Sequence, residues 1–177
     1  TGKQVALSGC TVSAACCDRQ DQIWIATSDD RLGKLRPDGT RTDSLRLPAT
    51  ISAMRVLPDG ALLLVSSDSR GIYHFAPDTR RIRVFAHIPP AAGSPSDVAC
   101  LPDGSLWLSM LAGWAVLRLN DVGEITQSRA LPVADATGLC VTADASALIV
   151  TSTRHMLRRE DLQHAPLSGH IFRLSLS

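Results

Sequence analysis

The residues best suited to chemistry in this chain sit at the starts of four short apolar runs. Ser13, Ser52, Ser96 and Thr137 each open such a run, and Asp97 directly follows Ser96. If they converged, these hydroxyls would line a polar pocket able to hydrogen-bond a polyol or sugar. Asp97 would then supply a lone general base or a metal ligand, with Ser52 and Ser96 as neighbouring oxygen donors. The same residue types also have a structural use. A Ser or Thr at a strand start bonds the backbone beside it, and an Asp there caps a turn. Both uses stand open on the sequence alone. A serine nucleophile needs a base within reach. His87, His155 and His164 fall between strands, and nothing in the sequence brings one of them to Ser96. Trp114, just after Ala112-Gly113, is the loop aromatic placed to touch a ligand.

The elements that must position these residues emerge when the sequence is slid against itself. Segments 13–17, 52–56, 96–100 and 137–141 are equivalent, each a hydroxyl residue running into small or apolar ones. Polar turns follow, two of them Pro-Asp-Gly at 58–60 and 102–104, which suit a tight hairpin. Second strands come next at 23–26, 62–65, 106–109 and 148–151. Their matched positions Trp24, Leu63, Trp107 and Ile149 lie 39, 44 and 42 residues apart. Third strands are expected at 34–36, 72–75, 116–119 and 171–174, and polar fourth strands near 44–47, 82–85 and 125–129. Four strands every ~40–45 residues is the period of a propeller blade.

The chain is therefore expected to be an all-β propeller of four four-stranded repeats. The repeats span about 8–48, 49–92, 93–133 and 134–177 of a single domain, 1–177. The last repeat lacks a fourth strand, and Gln4 to Leu7 would supply it and close the ring. A short helical turn is expected only at 158–163. Cys17 and Cys100 share a register position with Val56 and Val141, and are read as small core residues.

Composition narrows the function further. Of the 177 residues, 45% are hydrophobic and 20% charged, with a formal net charge of +1. That suits a globular domain and leaves no basic stripe for nucleic acid. No apolar run reaches the ~20 residues of a membrane helix. Five cysteines, two of them adjacent, make a poor disulfide framework, which favours a reducing compartment and a cytoplasmic location.

With the repeats in register, the chain resembles the regucalcin/gluconolactonase/luciferin-regenerating-enzyme family. The resemblance rests on Asp68-Ser69 with Ile72-Tyr73-His74-Phe75 and Arg83-Val84-Phe85-Ala86, then on Pro95 through Leu108. It continues through Leu148-Ile149-Val150-Thr151-Ser152 to Pro166, Gly169 and Ile171-Phe172-Arg173. It covers about the last four of the family's six blades, so either two blades are missing or this is a shortened relative with a closed ring of four. The resemblance implies one divalent cation, calcium or zinc, at the channel mouth, and hydrolysis of sugar lactones there. By register the family's ligand Asn falls at Ser52, its ligand Asp at Ser96 and its substrate-side Asn at about Ser13. Asp97 stands one place beyond the expected Asp. Hydroxyls in place of Asn and Asp weaken a hard-cation site, which normally draws on carboxylate charge. Two functions follow: a metal-assisted lactone hydrolase, or a non-catalytic propeller binding a small polar ligand or protein partner at its channel face. A homo-oligomer is compatible with either.

Overall fold

In the computed structural model, which describes residues 11–36, 38–155 and 157–176, nearly all regular structure is β. Four small antiparallel sheets are arranged as a four-blade propeller. Blade one comprises β1 (Val12–Cys17), β2 (Ile23–Thr27), β3 (Arg31–Leu35) and β4 (Arg41–Arg46). Blade two comprises β5 (Ala53–Val56), β6 (Leu62–Ser66), β7 (Gly71–Ala76) and β8 (Arg81–His87). Blade three comprises β9 (Ser94–Cys100), β10 (Leu106–Leu111), β11 (Ala115–Leu119) and β12 (Ile125–Ala130). In blade four the described strands are β13 (Ala136–Val141), β14 (Ala147–Ser152) and β15 (Ile171–Ser175). The expected closing strand, Gln4 to Leu7, lies outside the described residues. The short helix α1 (Arg159–His164) falls where the turn was expected. No described helix is long and apolar enough to cross a membrane.

Each blade is an antiparallel meander, and several of its turns carry their own stop signal. Asp59 Oδ1 accepts the Ala61 N–H at 3.0 Å, and Gly60 turns with φ of +86°. Asp38, Asp103 and Asp144 accept the N–H two residues on in the same way, at 2.9, 2.9 and 3.1 Å. A carboxylate that bonds the backbone two residues ahead closes such a turn locally.

The second strands of blades two and three are apolar on both faces because both faces pack against a neighbouring blade. All five residues of β6 are buried. Alternate residues then fill successive seams. Trp24, Ala26 and Leu32 of blade one pack with Met54, Leu62, Leu64 and Phe75 of blade two. Leu63, Val65 and Ile72 of blade two meet Val98, Leu108 and Leu117 of blade three. Trp107 and Val116 of blade three meet Leu139, Leu148 and Val150 of blade four. The inner strands β1, β5, β9 and β13 thus start together at one end, the channel mouth, while the Asp-capped turns that follow them lie at the other.

Candidate functional site at the channel mouth

Three of the four hydroxyl residues occupy β-bulges. Val12 pairs with Thr27 and Ala14 with Ala26, which leaves Ser13 as the extra residue. Ser96 is extra between the pairs Pro95–Met110 and Asp97–Ser109, and Thr137 between Ala136–Ser152 and Gly138–Thr151. In blade two the Ser52 N–H bonds the Val65 carbonyl at 2.7 Å, beside the Ala53–Val65 pair. An extra residue bends its strand and re-aims its side chain.

The re-aimed hydroxyls are largely spent on the protein itself. Ser52 Oγ donates to the Val65 carbonyl at 3.1 Å. Ser67 Oγ lies 2.9 Å from Ser52 Oγ and 2.7 Å from the Pro95 carbonyl, tying blade two to blade three. Ser96 Oγ donates to the Ala136 carbonyl at 2.6 Å, tying blade three to blade four. A hydroxyl has one proton, so Ser109 Oγ, 2.8 Å away, donates back to Ser96. Thr137 Oγ1 contacts Thr151 Oγ1 at 3.1 Å and is exposed. Ser13 Oγ is buried with no hydrogen-bond partner among the described residues.

Asp97 is the hub of the channel mouth. Its Oδ2 accepts from Arg55 Nη2 at 2.9 Å and from the Leu139 N–H at 3.0 Å, and its Oδ1 accepts from the Val98 N–H at 2.8 Å. One carboxylate thus joins the inner strands of blades two, three and four. Its side chain is 14% exposed, against 41% for Arg55. Arg55 also donates from Nη1 to the Met54 carbonyl at 3.0 Å, which aims the guanidinium across the mouth.

A cavity of about 250 Å³ opens here, lined by Ser52, Arg55, Ser96, Asp97 and Thr137 with the small residues Ala14, Ala15 and Ala53. Four of the six residues singled out from sequence therefore share one cavity. Ser13 and Trp114 do not line it. The bulge turns the Ser13 hydroxyl inward to a buried position. Trp114, 41% exposed, is held in the β10–β11 turn by its backbone: its N–H bonds the Ala134 carbonyl at 3.3 Å and its carbonyl accepts the Leu131 N–H at 2.7 Å.

Sequence reasoning passed over Arg55. The signal was present: Arg55 stands at the register position held by Cys16, Ala99 and Cys140, opposite Trp24, Trp107 and Ile149. A lone Arg among small residues in an inner strand is a charge aimed at the channel.

The donor set does not fit a divalent cation. Ser52 and Ser96 offer only neutral hydroxyl oxygens, Asp97 is already neutralised by a guanidinium, and a hard cation normally draws on several oxygen ligands with carboxylate charge. Among the described residues no group of three or more His, Cys, Asp or Glu could hold a metal.

Thiol and imidazole chemistry are also missing from the mouth. Burial pushes the Cys16 thiol up to about 11, against the pull of Arg55, and burial raises Cys100 likewise. Cys16 and Cys100 therefore stay protonated at neutral pH. Cys17 corrects the core assignment made from its register: it is exposed, since its face of β1 is the one turned away from blade two. No histidine lines the cavity. His87 and His170 instead bond the carbonyls of Arg70 and Leu167.

An antiparallel propeller with a polar pocket where its inner strands begin defines the class of the protein. Residues 53–154, more than half of the chain, match the SMP-30/gluconolactonase/LRE-like region, and the chain belongs to that family. Residues 6–29 match the two component regulator propeller. No curated protein matches the chain. Among solved structures it is similar to regucalcin, a calcium-binding protein from Agrobacterium tumefaciens C58, with TM-score 0.76 and 21% identity over 90% of this chain and 59% of that one. It is also similar to virginiamycin B lyase from Staphylococcus aureus, with TM-score 0.73 and 17% identity over 97% and 58%. A luciferin-regenerating enzyme gives 0.72 and 15% over 90% and 59%. The chain thus spans less than two thirds of each of these structures.

Proposed function

We propose that this propeller binds a small polyhydroxy compound, a sugar or sugar lactone, at its channel mouth without metal-assisted hydrolysis. The observation that carries this reading is the double engagement of Asp97 Oδ2 by Arg55 and the Leu139 N–H. A carboxylate held in this way is a poor metal ligand, and it is also poorly placed to take a proton from water. It is well suited to hold a guanidinium still. Arg55 keeps N–H donors to spare after bonding Asp97 and Met54, and offers them to ligand hydroxyl or carbonyl oxygens. The cavity of about 250 Å³ is of the order of a single sugar ring.

Family membership favours the other reading, lactone hydrolysis with calcium or zinc. The two separate in one set of measurements, glucono-1,5-lactone hydrolysis and calorimetric binding with and without millimolar calcium or zinc. The expected result is saccharide binding that Arg55→Ala removes, with no metal-dependent turnover. Metal-dependent hydrolysis abolished by Asp97→Asn would overturn the proposal.

A further inference from the structure

At the opposite end of the blades, the repeat register reveals a missing side chain. Trp24, Leu63 and Trp107 occupy equivalent positions in β2, β6 and β10, each aimed into the seam with the next blade. The two tryptophans are 4% and 1% exposed, and they fill their seams. In the seam between blades two and three the same place holds only Leu63. A cavity of about 270 Å³ lies there, walled by Leu57, Leu63, Phe85, Leu101 and Leu106.

The polar neighbours of this position change with it. The third-strand partners of the three residues are Lys34, His74 and Arg118. Lys34 lies 4.8 Å over the Trp24 ring and bonds Gln22, while Arg118 bonds the turn carboxylate of Asp103 at 2.7 Å. His74 is held less closely, its Nε2 standing 4.0 Å from Asp59, an ion-pair distance beyond hydrogen-bond reach. Next to it across the β7–β8 ladder is Arg83, whose guanidinium makes no hydrogen bond or ion pair among the described residues. Both side chains stand at the cavity, together with Asp59 and Asp121.

We propose that this cleft is a second binding site, distinct from the channel mouth, for a planar aromatic carboxylate. The ring would occupy the space that tryptophan fills in the neighbouring seams, and the carboxylate would meet Arg83 and His74. The size is adequate, since a dry cavity of ~150 Å³ already admits benzene. Asp59 and Asp121 on the rim disfavour small free anions that lack an apolar body to anchor them.

Calorimetric titration of the chain with indole-3-acetate and with neutral indole tests this. Saturable binding of both is expected, with indole-3-acetate the tighter. Leu63→Trp should fill the cleft and weaken both by at least about tenfold. Arg83→Gln, at an exposed position, should weaken indole-3-acetate about tenfold and leave indole unchanged. Thr137→Ala, at the channel mouth, should change neither. Absence of saturable binding by the wild type, or equal binding by the folded Leu63→Trp variant, would overturn the site. Should that variant fail to fold, ligand-induced shifts of the His74 and Phe85 resonances in the wild type decide in its place, and unshifted resonances refute the site. Undiminished indole-3-acetate binding by Arg83→Gln would overturn the carboxylate assignment.

Discussion

Replacing Asp97 by Ala should be among the most costly single changes at the channel mouth. Two losses add. The Leu139 N–H, in a buried residue, loses its acceptor, and an unsatisfied buried donor costs about 1–3 kcal/mol. Arg55 loses its counter-charge. Pairs on the surface contribute about 0–1 kcal/mol and fully buried ones when broken about 3–5. With Arg55 41% exposed, this pair belongs near the lower end, at about 1 kcal/mol. Asp97→Ala should therefore cost about 2–4 kcal/mol, a fall in Tm of about 5–15 °C for a chain of this size. Asp97→Asn keeps an acceptor oxygen and should cost about half as much. Urea unfolding of the wild type, Asp97→Ala, Arg55→Ala and the double variant completes the cycle, with a coupling of about 1 kcal/mol expected. A single-variant loss within about 0.5 kcal/mol, or zero coupling, would refute the role of Asp97 as the tie between three blades.

Three further outcomes follow from the geometry. Hydrogen bonds from Thr142 and Ser146 hold the Asp144 carboxyl at about 2, so Thr142→Val should raise it toward the ordinary 3.8, as an NMR titration would read. A carboxyl held low in the folded state contributes stability above its ordinary value and loses it as pH falls. The wild type should therefore melt earlier as pH drops from about 4 toward 2, and Thr142→Val should flatten that dependence. Limited alkylation followed by mass spectrometry should label exposed Cys17 and Cys140 well before Cys16 and Cys100, with Cys16 becoming reactive only as pH nears 11. Gly93, at φ of +90° before β9, would bring an added Cβ to 2.4 Å from the Leu111 carbonyl. Gly93→Ala should destabilise by about 2–3 kcal/mol in chemical unfolding.

The strands were legible in the sequence because each blade repeats the same local problem. A buried second strand such as Leu62–Ser66 must be apolar on both sides, and the Asp-Gly turns mark where it starts. The hydroxyl positions were legible as positions, since Ser13, Ser52, Ser96 and Thr137 share a register. Their orientation was not. An extra residue in one strand is counted only against its partner, and the partner of Ser96 is known only once Asp97 faces Ser109. The Arg55–Asp97 pair was hidden for a related reason. Its members lie in different repeats, each in a place where the other blades carry small residues, so no local spacing links them. Trp114 misled because loop placement says nothing of how firmly a turn backbone is tied to the next blade.

Two ties of the third inner strand run forward along the chain. Ser96 and Asp97 reach forward to the carbonyl of Ala136 and the N–H of Leu139, about 40 residues later in the chain. A polypeptide synthesised from its N-terminus therefore completes the hydroxyl and the carboxylate before the strand they will hold exists. In the folded chain β13 docks on an edge whose carboxylate is also held by Arg55 from the blade behind. The charge pair thus spans two seams at once, so a break at Asp97 is felt on both sides of the third blade.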